Sequence, residues 1–376
     1  MEGTGAAIAP YERAVVVGAG AIGGITAAHL ASAGVDVLVV ERDQAHRDRL
    51  KAGLIVDGVK GEFTVPLRAI APEEVSGEAH AGMSIGASAE GSTARSAEGS
   101  AAGLPPLILL AVRSNFTEEA LRAVLPLLGD QAQVVSLQNG INEELIASTI
   151  GAERTIGATV GWGATYVAPG HVSQTSEGDF VIGRLDGRVD TDLRRAAATL
   201  EKVAPVRLSE NILGDLWAKL IINCVTVVGA VAGVTTGELL APAENKRVLL
   251  ALMGEAIDTA TAAGVRLEKF EGLVDPMMFK TSDQEGAKTC FAIMDLMALR
   301  FGQVKSVTLS DLQAGRATET DFVTGYVVGK AQERGLAVPI NETVLRQLRE
   351  IGRGERAMGQ RNLDELGSLV PRDLPW

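Results

Sequence analysis

Two clusters of residues have the types and spacing to do chemistry. In the first, Gly18-Ala19-Gly20-Ala21-Ile22-Gly23 spaces its glycines as GxGxxG. That pattern suits a tight turn, a close approach of backbone to a pyrophosphate, and a tightly packed helix whose first N–H groups donate to phosphate. A glycine turn without a ligand is the plain alternative. The second cluster lies in Leu216-Trp217-Ala218-Lys219-Leu220-Ile221-Ile222-Asn223, where the charge of Lys219 is embedded among large apolar groups. A buried ammonium needs a partner. Asn223 follows one helical turn later, which places both side chains on one helix face. Such a pair can give a proton to an oxygen that gains negative charge and hold the molecule that carries it. A lysine that runs its stem along a core helix to solvent is the alternative.

The elements around the glycines supply the context that the motif needs. Ala14 to Val17 is a short β-branched run, Ala21 to Ser32 reads as a helix, and Val35 to Val40, apolar but for Asp36, reads as a strand buried on both faces. Together they predict a βαβ unit. Further strands are expected at Leu54 to Val56, Phe63 to Leu67, Leu107 to Val112 and Gln133 to Leu137, with a helix from Thr117 to Leu128. Alternating elements of this kind imply an open, mostly parallel sheet. Thr155 to Gly183 reads as β-rich, with a hairpin turn at Ala168-Pro169-Gly170. From Asn211 onward helical periodicity dominates, near 211–230, 244–264, 317–334 and 341–352. The expected fold is an α/β, doubly wound Rossmann domain over 1–208 followed by an all-α domain over 209–376. Residues 76–103, almost wholly Ser, Gly, Ala, Glu and Thr, are expected to form a flexible surface insertion.

The second strand ends at Glu41-Arg42, and the two residues point to different dinucleotides. An acid there suits the ribose hydroxyls of NAD, whereas an arginine suits the extra phosphate of NADP. With Arg47 and Arg49 also near, the reading leans to NADP, and NAD stays open because of Glu41. Arg47 and Arg49 on a solvated helix face are the alternative.

Composition bounds the function. The chain has 376 residues, with 35 Lys plus Arg against 47 Asp plus Glu, a net charge of −12. At roughly 150 residues per domain that length suggests two or three domains. The acidic balance argues against nucleic acid, because binding a phosphate backbone needs clustered Lys and Arg. Cys224 and Cys290 have no second Cys or His at ligand spacing, so neither a disulfide framework nor a metal site is expected, and the chain reads as reduced and cytoplasmic. MEGTGAAIAPYER lacks a basic stretch ahead of an apolar one, so no secretory signal is expected. The longest apolar stretch, Leu220 to Val234, is short of the roughly 18 residues of a membrane span and is read as a buried helix.

VVVGAGAIGG, SLQNGINEE, WAKLIINC and ATETDFVTGY, in that order, resemble the ketopantoate reductase (2-dehydropantoate 2-reductase) family. The resemblance runs from about residue 13 to about residue 352, interrupted by 76–103. It implies a small keto-acid substrate and NADPH-dependent reduction of 2-dehydropantoate (ketopantoate) to pantoate, in pantothenate biosynthesis. It also allows a homodimer. By position it makes Lys219 the general acid, Glu319 its support, and Asn139 and Asn223 the residues that hold substrate. Arg113 aligns with a lysine that contacts the cofactor, and Asn139 lies at the strand edge where Rossmann ligands bind. Each has another explanation. Asn139-Gly140 is a common turn, Arg113 suits a solvated loop, and Thr318-Glu319-Thr320-Asp321 reads as a capping box at a helix start.

Two positions depart from the family pattern. Val227 stands where a second asparagine is usual, and gapless counting puts Val307 at the position of a substrate-binding serine, with Ser306 one residue away. A valine in place of a hydrogen-bonding residue costs about 1–3 kcal/mol if a substrate oxygen is left unpaired in a dry site. A different keto acid, or an imine, is therefore the rival substrate, and a dinucleotide-sensing protein without turnover is the rival from another class. None of the four histidines forms a catalytic constellation, and Cys224, about 100° around the helix from Asn223, reads as inert packing.

Overall fold

The computed structural model describes residues 8–80 and 106–371, apart from 130, 282 and 304. Most of 76–103 therefore lies outside the described residues; its first residues are in a short helix, Val75–His80, rather than an irregular loop. The chain falls into two compact units, one of Met1–Gln138 with Glu143–Glu210 and one of Asn139–Asn142 with Asn211–Trp376.

The described strands, all in the first unit, are β1 (Arg13–Val17), β2 (Asp36–Val40), β3 (Leu54–Gly58), β4 (Phe63–Val65), β5 (Arg68–Ile70), β6 (Leu107–Leu110), β7 (Gln133–Ser136), β8 (Thr155–Val160), β9 (Ala164–Ala168), β10 (His171–Gln174), β11 (Phe180–Arg184) and β12 (Val206–Ser209). Eight form one sheet in the order β12-β11-β8-β7-β6-β1-β2-β5, parallel throughout except between β11 and β8. Counting only its first six strands, that is the Rossmann order, reversing between β1 and β6, where such sheets bind ligands. Alternate residues feed two cores. Val15, Val17, Leu38, Val40, Ile108 and Leu110 face helices Thr117–Leu128 and Glu143–Ile150, while Val16, Val37, Val39, Leu107 and Leu109 face helices Ala21–Ser32 and Thr191–Leu200. Burial on both faces explains why these strands read as unbroken apolar runs.

The run expected as one strand, Phe63 to Leu67, is divided. β4 pairs antiparallel with β3, whereas β5 pairs parallel with β2 at the edge of the large sheet. Pro66 between them lacks the N–H needed to carry one ladder through. β3 and β4 join β10 and β9 in a second, four-stranded sheet that the sequence reading did not foresee. Its β9–β10 hairpin turns at Gly170, in the left-handed region at φ 80°, as the Pro-Gly pair suggested.

The second unit is built on helix Ile212–Ala232, 21 residues long and ended by Gly233 at φ 78°. By length and composition that helix could cross a membrane, but 78% of its most apolar window is buried inside the protein. It extends eight residues before Leu220, because burial already begins at Ile212. Helices Ala243–Ala262, Gln284–Phe301, Thr324–Glu333, Pro339–Gly352 and Gln360–Leu369 complete its main frame among the described residues.

Candidate active site

In the first unit the parallel register brings three loops to one sheet edge. Val17 pairs with Val40 on one side and with Leu110 on the other. The glycine loop after β1 is therefore flanked by Arg42, just beyond β2, and Arg113, just beyond β6. Gly18 sits at φ 87°, and a Cβ there would lie 2.8 Å from the Val112 side chain. A Cβ on Gly23 would lie 1.9 Å from the Gly18 carbonyl, so helix and loop approach too closely for any side chain. Gly20 differs: nothing lies within 4 Å of its Cβ position, and it is the N-cap of helix Ala21–Ser32. The first described intrahelical bond there is Gly24 N–H to Gly20 O, which leaves the N–H groups of Ala21, Ile22 and Gly23 as those a helix start offers to an anion. An open face over Gly20, bounded by two glycines that cannot be replaced, fits a dinucleotide.

The charged residues nearby divide by occupation. Arg47 donates to the carbonyls of Glu41 and Arg42, at 2.8 and 2.6 Å, and so holds backbone. The stem of Arg49 packs under Gly170. Arg42 is exposed, its guanidinium 4.1 Å above the ring of Phe116. Phe116 belongs to the same turn as Arg113, which caps Ser114–Phe116. Gln138 steadies that loop by donating to the Val112 carbonyl and the Thr117 hydroxyl.

In the second unit, helix Ile212–Ala232 is buried almost all round, yet Lys219, Asn223 and Thr226 are each only half-buried. Their spacing puts them on one face, with buried Asp215 a turn before Lys219. Thr226 donates to the Asn223 carbonyl at 2.9 Å. The sequence reading passed over Thr226, although the same helical spacing that paired Lys219 with Asn223 would have found it. Val227 points into the core at 2% exposure. Cys224 is fully enclosed, and burial pushes its thiol up to about 12, opposed only by the neighbouring Thr324 hydroxyl.

Glu319 stands at the N-cap of the single turn Thr320–Phe322 and makes no capping bond with its side chain. The Thr318 and Thr320 hydroxyls pair with each other at 2.8 Å, and Asp321 accepts from Arg349. Within this unit the Asn139-Gly140 turn sits against the same segment. Gly140 is at φ 79°, and a Cβ on it would lie 2.5 Å from the Phe322 carbonyl. Asn142 donates to the Asn139 carbonyl and fixes the loop. Trp217 packs on Tyr326 with rings 5.6 Å apart, so the Lys219 helix, the Glu319 turn and the Asn139 loop meet the same stretch of chain. Ser306 caps helix Val307–Gln313 by accepting the Leu309 N–H at 3.1 Å, and keeps its hydroxyl hydrogen to donate. Val307 is 54% exposed, outside any dry pocket.

The family described as ketopantoate reductase PanE/ApbA matches residues 14–187, and its C-terminal counterpart matches residues 211–352. The 2-dehydropantoate 2-reductase of Archaeoglobus fulgidus is 25% identical over 356 residues, 91% of this chain and 99% of that one. The structure of a PanE/ApbA family ketopantoate reductase from Ralstonia eutropha superposes with a TM-score of 0.72 at 25% identity, covering 92% of this chain and 100% of that one. A D-mandelate dehydrogenase solved with NADH and anilino(oxo)acetate gives the same TM-score of 0.72 at 18% identity, over 92% and 100%, a likeness of fold alone.

Proposed function

The chain belongs to the ketopantoate reductase family, and from that premise we propose that it reduces ketopantoate to pantoate with NADPH. It is an NAD(P)-dependent oxidoreductase. The observation that carries the finer reading is the polar stripe of Lys219 and Asn223, half-open on a helix buried almost all round.

Bound at the glycine loop, the reduced nicotinamide supplies the hydride. Lys219 donates the proton that neutralises the oxygen of the reduced carbonyl, where negative charge grows. Glu319 supports that lysine. Asn223, Asn139 and the hydroxyl of Ser306 hold the substrate's oxygens by hydrogen bonds. Ala21, Ile22 and Gly23 would donate to the pyrophosphate, with Gly18 and Gly20 shaping the approach. Arg42 and Arg113, on the loops either side of the glycine loop, would be the cations available to the additional phosphate of NADP, and on that ground the proposal takes NADP over NAD. A cytoplasmic location and a place in pantothenate biosynthesis belong to the same proposal.

The test is the loss of reduced-nicotinamide absorbance when protein meets ketopantoate, with NADPH and NADH in parallel. Rapid oxidation of NADPH is expected. Tight NADPH binding without turnover would move the proposal to its second reading, a less polar 2-keto acid. That reading rests on the departure at Val227, a valine one turn after Asn223 where the family pattern has a second asparagine. A panel of keto acids then finds the substrate.

A further inference from the structure

The peptide of Ala19, in the middle of the glycine loop, is held at both ends by side chains. Its N–H donates to Glu41 Oε2 at 2.9 Å, and its carbonyl meets His46 Nε2 at 2.8 Å. His46 is 2% exposed, and its other nitrogen, Nδ1, accepts the Gly170 N–H at 3.0 Å. A backbone N–H can only donate, so Nδ1 carries no proton and Nε2 must be the donor to Ala19. The ring is thus wedged between the glycine loop and the hairpin of the second sheet, with Tyr166 edge-on at 5.2 Å. Glu41 is equally committed: its other oxygen accepts the Asp43 N–H at 3.0 Å. Asp43 in turn accepts the backbone N–H of His46 at 2.6 Å, which closes a ring of bonds around the turn after β2.

We propose that Glu41 and His46 clamp the Ala19 peptide and hold the glycine loop in its phosphate-accepting shape before any cofactor arrives. Both are positioning residues, acting through the loop rather than on the reacting atoms. Glu41, on this account, serves the loop rather than reading the ribose, and discrimination between dinucleotides passes to the arginines on either side. A loop already ordered does not have to be ordered by the ligand, so affinity gains without a new contact.

The inference rests on the reading of the glycine loop as a dinucleotide site, and titration of NADPH and NADH fluorescence separates the two. If wild-type protein binds neither, the reading fails and takes the clamp with it. If it binds, His46→Leu is expected to weaken both cofactors by the same factor, roughly tenfold for the lost bonds. His46→Gln, whose amide carries a donor and an acceptor spaced like the ring nitrogens, is expected to stay within about threefold of wild type. In cofactor-free protein, hydrogen exchange over the glycine loop should quicken in His46→Leu and in Glu41→Ala. Wild-type affinity in His46→Leu would overturn the clamp. Equal losses in the Leu and Gln variants would assign the effect to packing of the ring and overturn it too.

Discussion

A lysine on a core helix is ambiguous until its neighbours are seen. Lys219 emerges with Asn223 and Thr226 in a half-buried polar stripe on a helix that is buried almost all round, which is what a proton donor to a bound molecule requires. Lys219→Ala is expected to lower kcat by a factor of about 100 or more while the NADPH dissociation constant stays nearly constant, measured by steady-state kinetics beside a binding titration. Unchanged turnover would remove Lys219 from the mechanism. Sequence reading reached Lys219 and Asn223 because both sit within one turn of a single helix. It could not reach His46, whose partners Ala19 and Gly170 lie 27 and 124 residues away in the chain. The histidine's role is legible only once the second sheet has folded against the first helix. At Glu319 the local pattern misplaces the helix start: the expected box begins at Thr318, whereas the N-cap of the turn Thr320–Phe322 is Glu319 itself.

At the scale of elements, the loop between β1 and helix Ala21–Ser32 gives glycine three separate duties. A methyl group at Gly20 meets nothing in the protein, whereas one at Gly23 meets the Gly18 carbonyl at 1.9 Å. Gly20→Ala should therefore keep the wild-type Tm and lose cofactor affinity, while Gly23→Ala should lose both, as thermal melts and a cofactor titration would record. A Gly20→Ala protein that bound NADPH as wild type would place the pyrophosphate elsewhere. The strands flanking this loop were readable because each is an apolar run buried on both faces. The small strands were not, since β4 and β5 have three residues each and are told apart by their partners rather than by their pattern. Helix Gln284–Phe301 escaped for another reason. Its buried residues Ala287, Cys290 and Met294 have helical spacing, but exposed Leu296 and Leu299 blur the stripe.

For the whole molecule, one ion pair links stability to pH. Arg184, with its side chain 2% exposed, is gripped by Asp190 at 2.9 and 3.2 Å and also donates to Gln133 and the Glu153 carbonyl. Burial alone would raise the Asp190 carboxyl, but hydrogen bonds from Arg184 and the Leu193 N–H, with the arginine's charge, hold it below its usual 3.8. A depressed carboxylate binds its proton less tightly folded than unfolded, so its stabilisation is full above the unfolded value and fades as pH falls through the folded one. Asp190→Asn is expected to cost about 1–3 kcal/mol at neutral pH, with Tm down by roughly 3–8 °C, because the buried guanidinium loses its counter-charge. In melts repeated at successively lower pH the gap between wild type and variant should begin to narrow near pH 4 and close only as pH falls through the lower, folded value. A gap that persisted there would mean that the charge is not what stabilises. The helical unit takes the chain from Asn211, where the sequence changes to helical periodicity, and also Asn139–Asn142, although nothing in a four-residue loop announces which neighbour it will pack on. That loop bears on gene shuffling. A chimera spliced at residue 211 between two relatives inherits its asparagine loop from one parent and the segment around Phe322 that seats it from the other. Recombinants of this family should thus breed true only when the stretch 139–142 travels with the C-terminal half, so that its inheritance follows packing rather than position in the chain.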